Sequence, residues 1–484
     1  MVGITAYGGY VPRLRLQRKS VVEANGWFNS ALKAHGKGER AMCNWDEDAL
    51  TMAVEAGRDC LAGDRPEDLK GVFLASTTLP FEDRQNSSVL TTALGLGQNL
   101  MTLDITSSQR AGTSGLITAL NAVQGLGGQA LYIASEHRRT KAAAALELMS
   151  GDGAASLMLG SDGVIAEFVG AHQEAVDFVD HYRGQNEAFD YGWEERWIRD
   201  EGYMKIVPPA LEGLFQSTGI SAEDVDHFIM PAMIRNLGAL MARRTGIKAE
   251  AVSDNLAAVM GDSGAAHALV MLVQKLQEAE PGQNIVVVGF GQGADAILFR
   301  TTDALKSLGA RQGIKGYLAR RKEETNYAKF QSFNEIVEMD RGLRSEVDKQ
   351  TALSSLFRNK EMLIGMMGGK CRKCGTVQFP KSNVCVNPNC GEFHSQDDHS
   401  FADTPATVQS WTADGLTYSL DPPQHFGMVV FAEGGRLMAD LTDVDVGGVE
   451  VGMSMRMMFR VKEHDNQRGF TKYFWKAAPA LADD

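Results

Sequence analysis

The sequence predicts an α/β fold whose half-domain occurs twice, followed by a small all-β tail, and three observations predict it. Apolar strand-like runs alternate with helical patterns over the first three hundred residues, as in GVFLAS (71–76), LYIAS (131–135), HFIMP (227–231) and NIVVVGFG (284–291). A unit then recurs: Gly112-Thr113-Ser114-Gly115 opens a helical stretch followed by the strand LYIAS and GDGAASLMLG, while Gly261-Asp262-Ser263-Gly264 precedes AAHALVMLVQKL, NIVVVGFG and GQGADAILF. The same order of turn, helix, strand and glycine-rich strand implies duplication. From residue 396 onward, short alternating runs with turn signals (ATVQSWTADG, FGMVVFAEGGRLMADLTDVD, SMRMMFRV) fit a small β-barrel.

These elements place the α/β core at residues 1–303. Residues 304–366 turn charged and helical (ALKSLGARQGIKGYLARRKEE, FNEIVEMDRGLRSEVDKQ) and are expected as a helical linker. A cysteine-rich segment over 367–395 and the β-barrel over 396–484 complete the chain.

Composition excludes several function classes. With 484 residues, 44% of them hydrophobic and 23% charged, the chain can bury more than one core. Lys+Arg 48 against Asp+Glu 61 leaves a net charge of -13, the wrong sign for gathering nucleic-acid phosphates. No apolar run approaches the roughly 20 residues of a membrane span, and MVGITAYGGYVPRLRL lacks the layout of a signal peptide. The expectation is a cytoplasmic protein with neither nucleic-acid nor membrane partners.

Four of the six cysteines cluster. Cys371-x2-Cys374 and Cys385-x4-Cys390 are separated by ten residues, so two knuckles can bring four thiolates around one tetrahedral ion. Zinc is the expected ion, although the same cage also suits iron. Four sulfur ligands leave no open position, so the site is structural. Cys43 and Cys60 stand alone.

Several stretches carry a family resemblance: Val2-Gly3-Ile4 running into Tyr7-Gly8-Gly9-Tyr10-Val11-Pro12-Arg13, Asp46-Glu47-Asp48 leading into ALTMAVEAGRDCL, Ala111-Gly112-Thr113, and GFGQGADAILF. Residues 1–300 thereby resemble the thiolase superfamily, in its 3-hydroxy-3-methylglutaryl-CoA synthase branch. The C-terminal part resembles the zinc-ribbon and OB-fold proteins that accompany such enzymes, through the cysteines with Gly375 and Phe379-Pro380, then Asp421-Pro422-Pro423, Phe426-Gly427 and Leu441-Thr442-Asp443-Val444-Asp445. The resemblance implies a duplicated five-layer core, acyl-CoA as substrate, and a homodimer or a hetero-oligomer with a thiolase-related subunit. It also places Gly112, Gly291 and Gly293 against the bound coenzyme.

The departures are at the reacting residues. Gln109 stands where the family has its nucleophilic cysteine, at a helix N-terminus, and a carboxamide forms no thioester. The family's acid/base glutamate falls on Thr77, its histidine on Ile229, and the asparagine of its Gly-Asn turn on Asp262. Asp262 is a candidate base, or a cap for the following helix. The Gln109 amide is a candidate partner for a thioester carbonyl. Ser108 is the neighbouring hydroxyl nucleophile, and His227 and His267 are the imidazoles nearest the altered motifs. Glu82, Glu136, His137, Tyr317 and Tyr327 are weaker candidates, and Arg138, Arg139, Arg243 and Arg244 are candidate phosphate contacts.

Three functions compete. A lyase of retro-aldol type would cleave a β-hydroxyacyl-CoA with a base and an oxyanion site but no covalent acyl-enzyme. An acyltransferase or condensing enzyme would need a substitute nucleophile. A non-catalytic subunit would partner an active paralogue.

Overall fold

The computed structural model describes residues 1–481. The chain forms two compact units, one of residues 1–44, 48–88 and 98–337, the other of 45–47, 89–97 and 338 onward.

In the first unit, β1 (Gly3–Tyr10), β2 (Leu69–Ala75), β3 (Met101–Ile105), β4 (Gln129–Glu136) and β5 (Gly153–Gly160) make a half-sheet ordered β1-β5-β4-β2-β3. A second half-sheet, β6-β9-β8-β7, comprises β6 (Ala166–Ala175), β7 (His227–Ile229), β8 (Asn284–Phe290) and β9 (Gly293–Thr301). The two meet where Gly3 and Ile4 pair with Glu167 and Ala166. The repeat read from sequence is present in the pairing: β4 runs parallel to β2 and antiparallel to β5, as β8 runs parallel to β7 and antiparallel to β9.

Helix α1 (Ala49–Leu61) packs on β1, β4 and β5, and Asp48 starts it with a capping box through Thr51. Helices α2 (Ala111–Leu126) and α4 (His267–Leu276) each touch strands of both half-sheets, and α3 (Met204–Thr218) covers β6 and β9. The result is five layers: α1, half-sheet, the α2/α4 pair, half-sheet, α3. Buried on both faces, the central strands read as near-continuous apolar runs; every residue of β5 (GAASLMLG) is buried. A side chain at Gly112 would place its Cβ 1.9 Å from the Ala265 carbonyl oxygen, so the approach of α2 to the turn before α4 needs glycine there.

Residues 304–366 are not one linker. Up to Val337 they belong to the first unit. Gly313–Ala319 lies on β1, and Lys322–Glu324 joins Leu14–Gln17 and Glu39–Met42 in a small three-stranded sheet. The segment's charge density suggested a helical linker, but Ile314 with Tyr317, and Tyr327 with Phe330, are each spaced three apart on a short helix, and all four are buried.

In the second unit, β10 (Met367–Cys371), β11 (Val377–Gln378) and β12 (Gln396–Ser400) form a three-stranded sheet under the cysteine cluster. Next come β13 (Ala406–Asp414), β14 (Gln424–Phe431), β15 (Arg436–Asp440), β16 (Ser454–Asp465) and β17 (Phe470–Pro479), antiparallel in the order β15-β14-β13-β16-β17. A bridge between Leu441 and Ala477 brings the two edges together, which closes the sheet into a barrel. Trp475 is fully buried in its core. The Asp46-Glu47 pair belongs to this unit. Asp46 takes Lys476 Nζ at 2.9 Å and Thr442 Oγ1 at 3.0 Å, and Arg460 meets Glu47 at 3.1 Å and Asp443 at 3.3 Å.

Candidate functional site

The first unit holds a cavity of about 420 Å³ whose lining includes Gln109, Arg138, Asp180, His181, Asp190, Tyr203 and Asp262. Gln109 stands one residue before the turn that opens α2. That turn is fixed by the buried Asp295 carboxylate, which takes Thr113 Oγ1 and Ser114 Oγ at 2.7 Å each, Gln173 Nε2 at 2.8 Å and Arg110 Nη1 at 3.1 Å. In the amide orientation its neighbours require, the Gln109 carbonyl oxygen accepts from Arg138 Nη1 at 2.8 Å, Arg138 Nη2 at 3.0 Å and His181 Nε2 at 3.0 Å.

Arg138 comes from the end of β4 and is buried. Asp190 grips it at 2.9 Å and is itself held by Arg183 Nη1 at 2.6 Å. Burial works against the Arg138 charge, but Asp190 and Asp262 outweigh it and hold the guanidinium above its ordinary range. His181 Nδ1 lies 2.8 Å from Asp180 Oδ2, so each ring nitrogen faces an acceptor, Asp180 on one side and Gln109 on the other. Both residues lie on a short hairpin, His181–Tyr182 against Tyr191–Gly192.

Asp262 lines the same cavity, near enough to Arg138 to act on its charge. Its Oδ1 accepts the Gly264 N–H at 2.8 Å, which leaves Oδ2 to the cavity. It therefore caps a single turn, Gly264–Ala266, which runs into α4. Tyr203 is stacked on Phe290 with ring centroids 3.8 Å apart and donates to the Pro231 carbonyl at 3.3 Å. Burial first, then the carboxylates of Asp262 and Asp180, push its phenol well above the ordinary value, so it stays a donor at neutral pH.

The other residues singled out in the sequence lie as follows. Ser108 Oγ donates to the Gly291 carbonyl at 3.1 Å and accepts the Arg110 N–H at 3.1 Å, so it is engaged in the turn. His227 Nε2 pairs with Gln283 at 3.0 Å, away from the cavity lining. His267 accepts the Ser263 N–H on Nδ1 at 3.1 Å and reaches the Asn255 carbonyl through Nε2 at 2.8 Å, which holds the turn that carries Asp262. Gly112, Gly291 and Gly293 sit outside the lining, against backbone: a Cβ at Gly293 would fall 2.0 Å from Glu174 O, and one at Gly291 3.3 Å from Arg110 N. Thr77 gives its N–H and hydroxyl to Glu136 at 3.0 and 2.9 Å, and burial pushes that carboxyl up. Glu82, Arg139, Arg243 and Arg244 are exposed, Tyr317 packs on Tyr10, and Tyr327 donates to Glu147. His137 lies 3.3 Å from the buried Asp152.

Sequence reasoning missed Asp180, His181, Asp190 and Tyr203. No motif marks them. The available signal was the long connection between β6 and α3, in which VDHYRGQNEAFDYGWEERW mixes charge with aromatics.

A second, smaller cavity of about 130 Å³ shares Asp262, Met149 and Met233 with the first and is lined beyond them by Arg18, His35 and Lys37. In the second unit, the four clustered thiols lie within 4.8 Å of one another. Cys374 and Cys385 sulfurs are 3.5 Å apart and those of Cys371 and Cys390 3.9 Å, against about 3.8 Å for sulfurs 2.3 Å from a tetrahedral zinc. The residues fit that ion.

The five-layer duplicated core with a cavity at the N-terminal ends of its two central helices defines a thiolase-like protein. Known proteins agree. The chain is 31% identical over 330 residues to the hydroxymethylglutaryl-CoA synthase of Aeropyrum pernix, an alignment that covers 66% of this chain and 91% of the relative. It is 28% identical over 350 residues to that of Caldivirga maquilingensis, covering 70% and 99%. The chain belongs to the hydroxymethylglutaryl-CoA synthase family. Residues 215–300 match the family of the 3-oxoacyl-[acyl-carrier-protein (ACP)] synthase III C terminal. Residues 367–394 match the ChsH2 rubredoxin-like zinc ribbon domain and residues 401–460 the ChsH2 C-terminal OB-fold domain. Among solved structures, an HMG-CoA synthase complexed with CoA superimposes with a TM-score of 0.60 at 16% identity, covering 72% of this chain and 95% of that one. The HMG synthase of the curacin pathway, in complex with an acetyl donor-ACP, gives 0.60 at 19%, covering 82% and 99%. No helix among the described residues is long and apolar enough to cross a membrane.

Proposed function

We propose that this chain cleaves the carbon–carbon bond of a β-hydroxyacyl-CoA by a retro-aldol reaction, without a covalent acyl-enzyme. The observation that carries the reading is one cavity lined both by the Asp262 carboxylate and by the Arg138, His181 and Gln109 cluster. Asp262 takes the proton of the β-hydroxyl, the Cα–Cβ bond breaks, and its electron pair passes to the thioester enolate as the carbonyl product forms. The Arg138 charge stabilises the developing oxyanion, with Gln109 and His181 holding the guanidinium in place. Tyr203 turns its O–H from the Pro231 carbonyl to the departing carbonyl oxygen, and the proton held by Asp262 returns to the α-carbon, so the reaction consumes no co-reactant.

The small cavity supplies an entrance for the coenzyme, with Arg18, His35 and Lys37 as cations for its phosphates. Zinc held by Cys371, Cys374, Cys385 and Cys390 is structural in this reading, since four sulfurs leave no site for substrate. The edge strand β3, with Met101 and Leu103 exposed, is where a second copy or a related subunit would pair. Four clustered thiols read as a metal cage and not as disulfides support work in the cytoplasm.

The synthase names of the relatives favour a second reading, condensation of acyl-CoA units. One experiment separates them: intact-protein mass spectrometry and CoA-product analysis after incubation with acyl-CoA and β-hydroxyacyl-CoA panels, for wild type and Asp262→Asn. Cleavage without an adduct, lost in the variant, supports the lyase. An acyl adduct overturns the non-covalent mechanism, and neither signal shifts the reading to a non-catalytic subunit.

A further inference from the structure

The cavity's apolar side is larger than the chemistry of the site requires. Leu146, Met149, Trp193, Ile198, Met233 and Phe290 line it beyond the polar cluster. At about 30 Å³ for each water-sized group, 420 Å³ accommodates about fourteen such groups. A two-carbon acyl unit would leave most of that wall in contact with water, which costs free energy in proportion to its area. The Trp193 indole is half-exposed at the rim, and the residue's backbone N–H bonds the Asp180 carbonyl at 2.9 Å, so the segment that carries Asp180 and His181 also carries an aromatic wall.

We infer that the substrate is the thioester of a bulky apolar acid, with an acyl portion of about ten carbons rather than two to four, and that Trp193 and the Ala145 position set its size. The inference rests on the proposed CoA-thioester site and names its substrate class. Apolar burial at this site should raise affinity by up to about fourfold for each methylene, until the cavity is filled.

Calorimetric titration of the full chain with acetyl-, hexanoyl-, decanoyl- and hexadecanoyl-CoA tests this without turnover. Decanoyl-CoA should bind at least about 100-fold more tightly than acetyl-CoA, with no further gain at hexadecanoyl-CoA. Ala145→Phe, which fills the cavity, should cost decanoyl-CoA about tenfold and leave acetyl-CoA within about twofold. Trp193→Ala, at a half-exposed position that the fold tolerates, should also weaken decanoyl-CoA selectively. A flat series, a rise that continues through hexadecanoyl-CoA, or equal losses for both ligands in both variants overturns the size inference alone. Failure of every thioester to bind overturns the CoA reading and this inference with it.

Discussion

Arg138 holds the carbonyl oxygen of Gln109 with both terminal nitrogens, at 2.8 and 3.0 Å, at the position where the family resemblance expects a nucleophile. The carboxamide thus serves as an acceptor that ties a buried cation and the His181 N–H together at the cavity wall. Gln109→Ala should leave these donors without that partner, lower kcat/KM for thioester cleavage by about 10- to 100-fold, and destabilise the first unit by about 1–3 kcal/mol. Steady-state kinetics beside thermal unfolding checks both.

Asp46 is expected to be a stability residue. Its carboxylate and the Lys476 ammonium are 1% and 2% exposed and 2.9 Å apart. Asp46→Asn leaves a buried cation uncompensated and should destabilise the second unit by about 3–5 kcal/mol. Hydrogen exchange of the β16 and β17 amides should accelerate, while that of β4 and β5 stays as in wild type.

Metal content provides a third check. Elemental analysis should give one zinc for each chain, and Cys374→Ser should reduce it to near zero. Chelation should open the amides of β10 to β12, because a structural ion's binding energy is folding energy.

The buried Glu136 carboxyl has its pKa raised by burial. The folded state therefore binds its proton more tightly than the unfolded chain, whose glutamates titrate near about 4.3. Its stabilising contribution is complete below that value and is lost as pH rises through the folded-state pKa. Glu136→Gln removes this slope, so the melting temperature of wild type relative to the variant should fall as pH rises above about 4.3, as differential scanning calorimetry would show.

The fold was legible in local sequence because its signals are local. The Gly112 and Gly261 units announced the duplication, since each turn and strand has the same steric requirements in both halves. The cysteine knuckles announced their cage, since ligand spacing is short-range. Gln109 and Asp262 could be placed as candidates because the family resemblance aligns reacting positions with them, each beside a glycine-marked turn. Asp180, His181, Asp190 and Tyr203 could not, because their spacing obeys no helical or strand period; the connection between β6 and α3 brings them to the cavity, where Asp190 pairs with Arg138. Likewise the charge of residues 304–337 concealed four buried side chains whose burial depends on β1 and its neighbours being folded. Sequence by itself determined the α/β alternation, the duplication and the candidate metal ligands, all set by short-range chemistry. Only the tertiary structure decided which carboxylates, cations and aromatics face one another, because long-range packing fixes those distances and leaves no periodic trace in the chain.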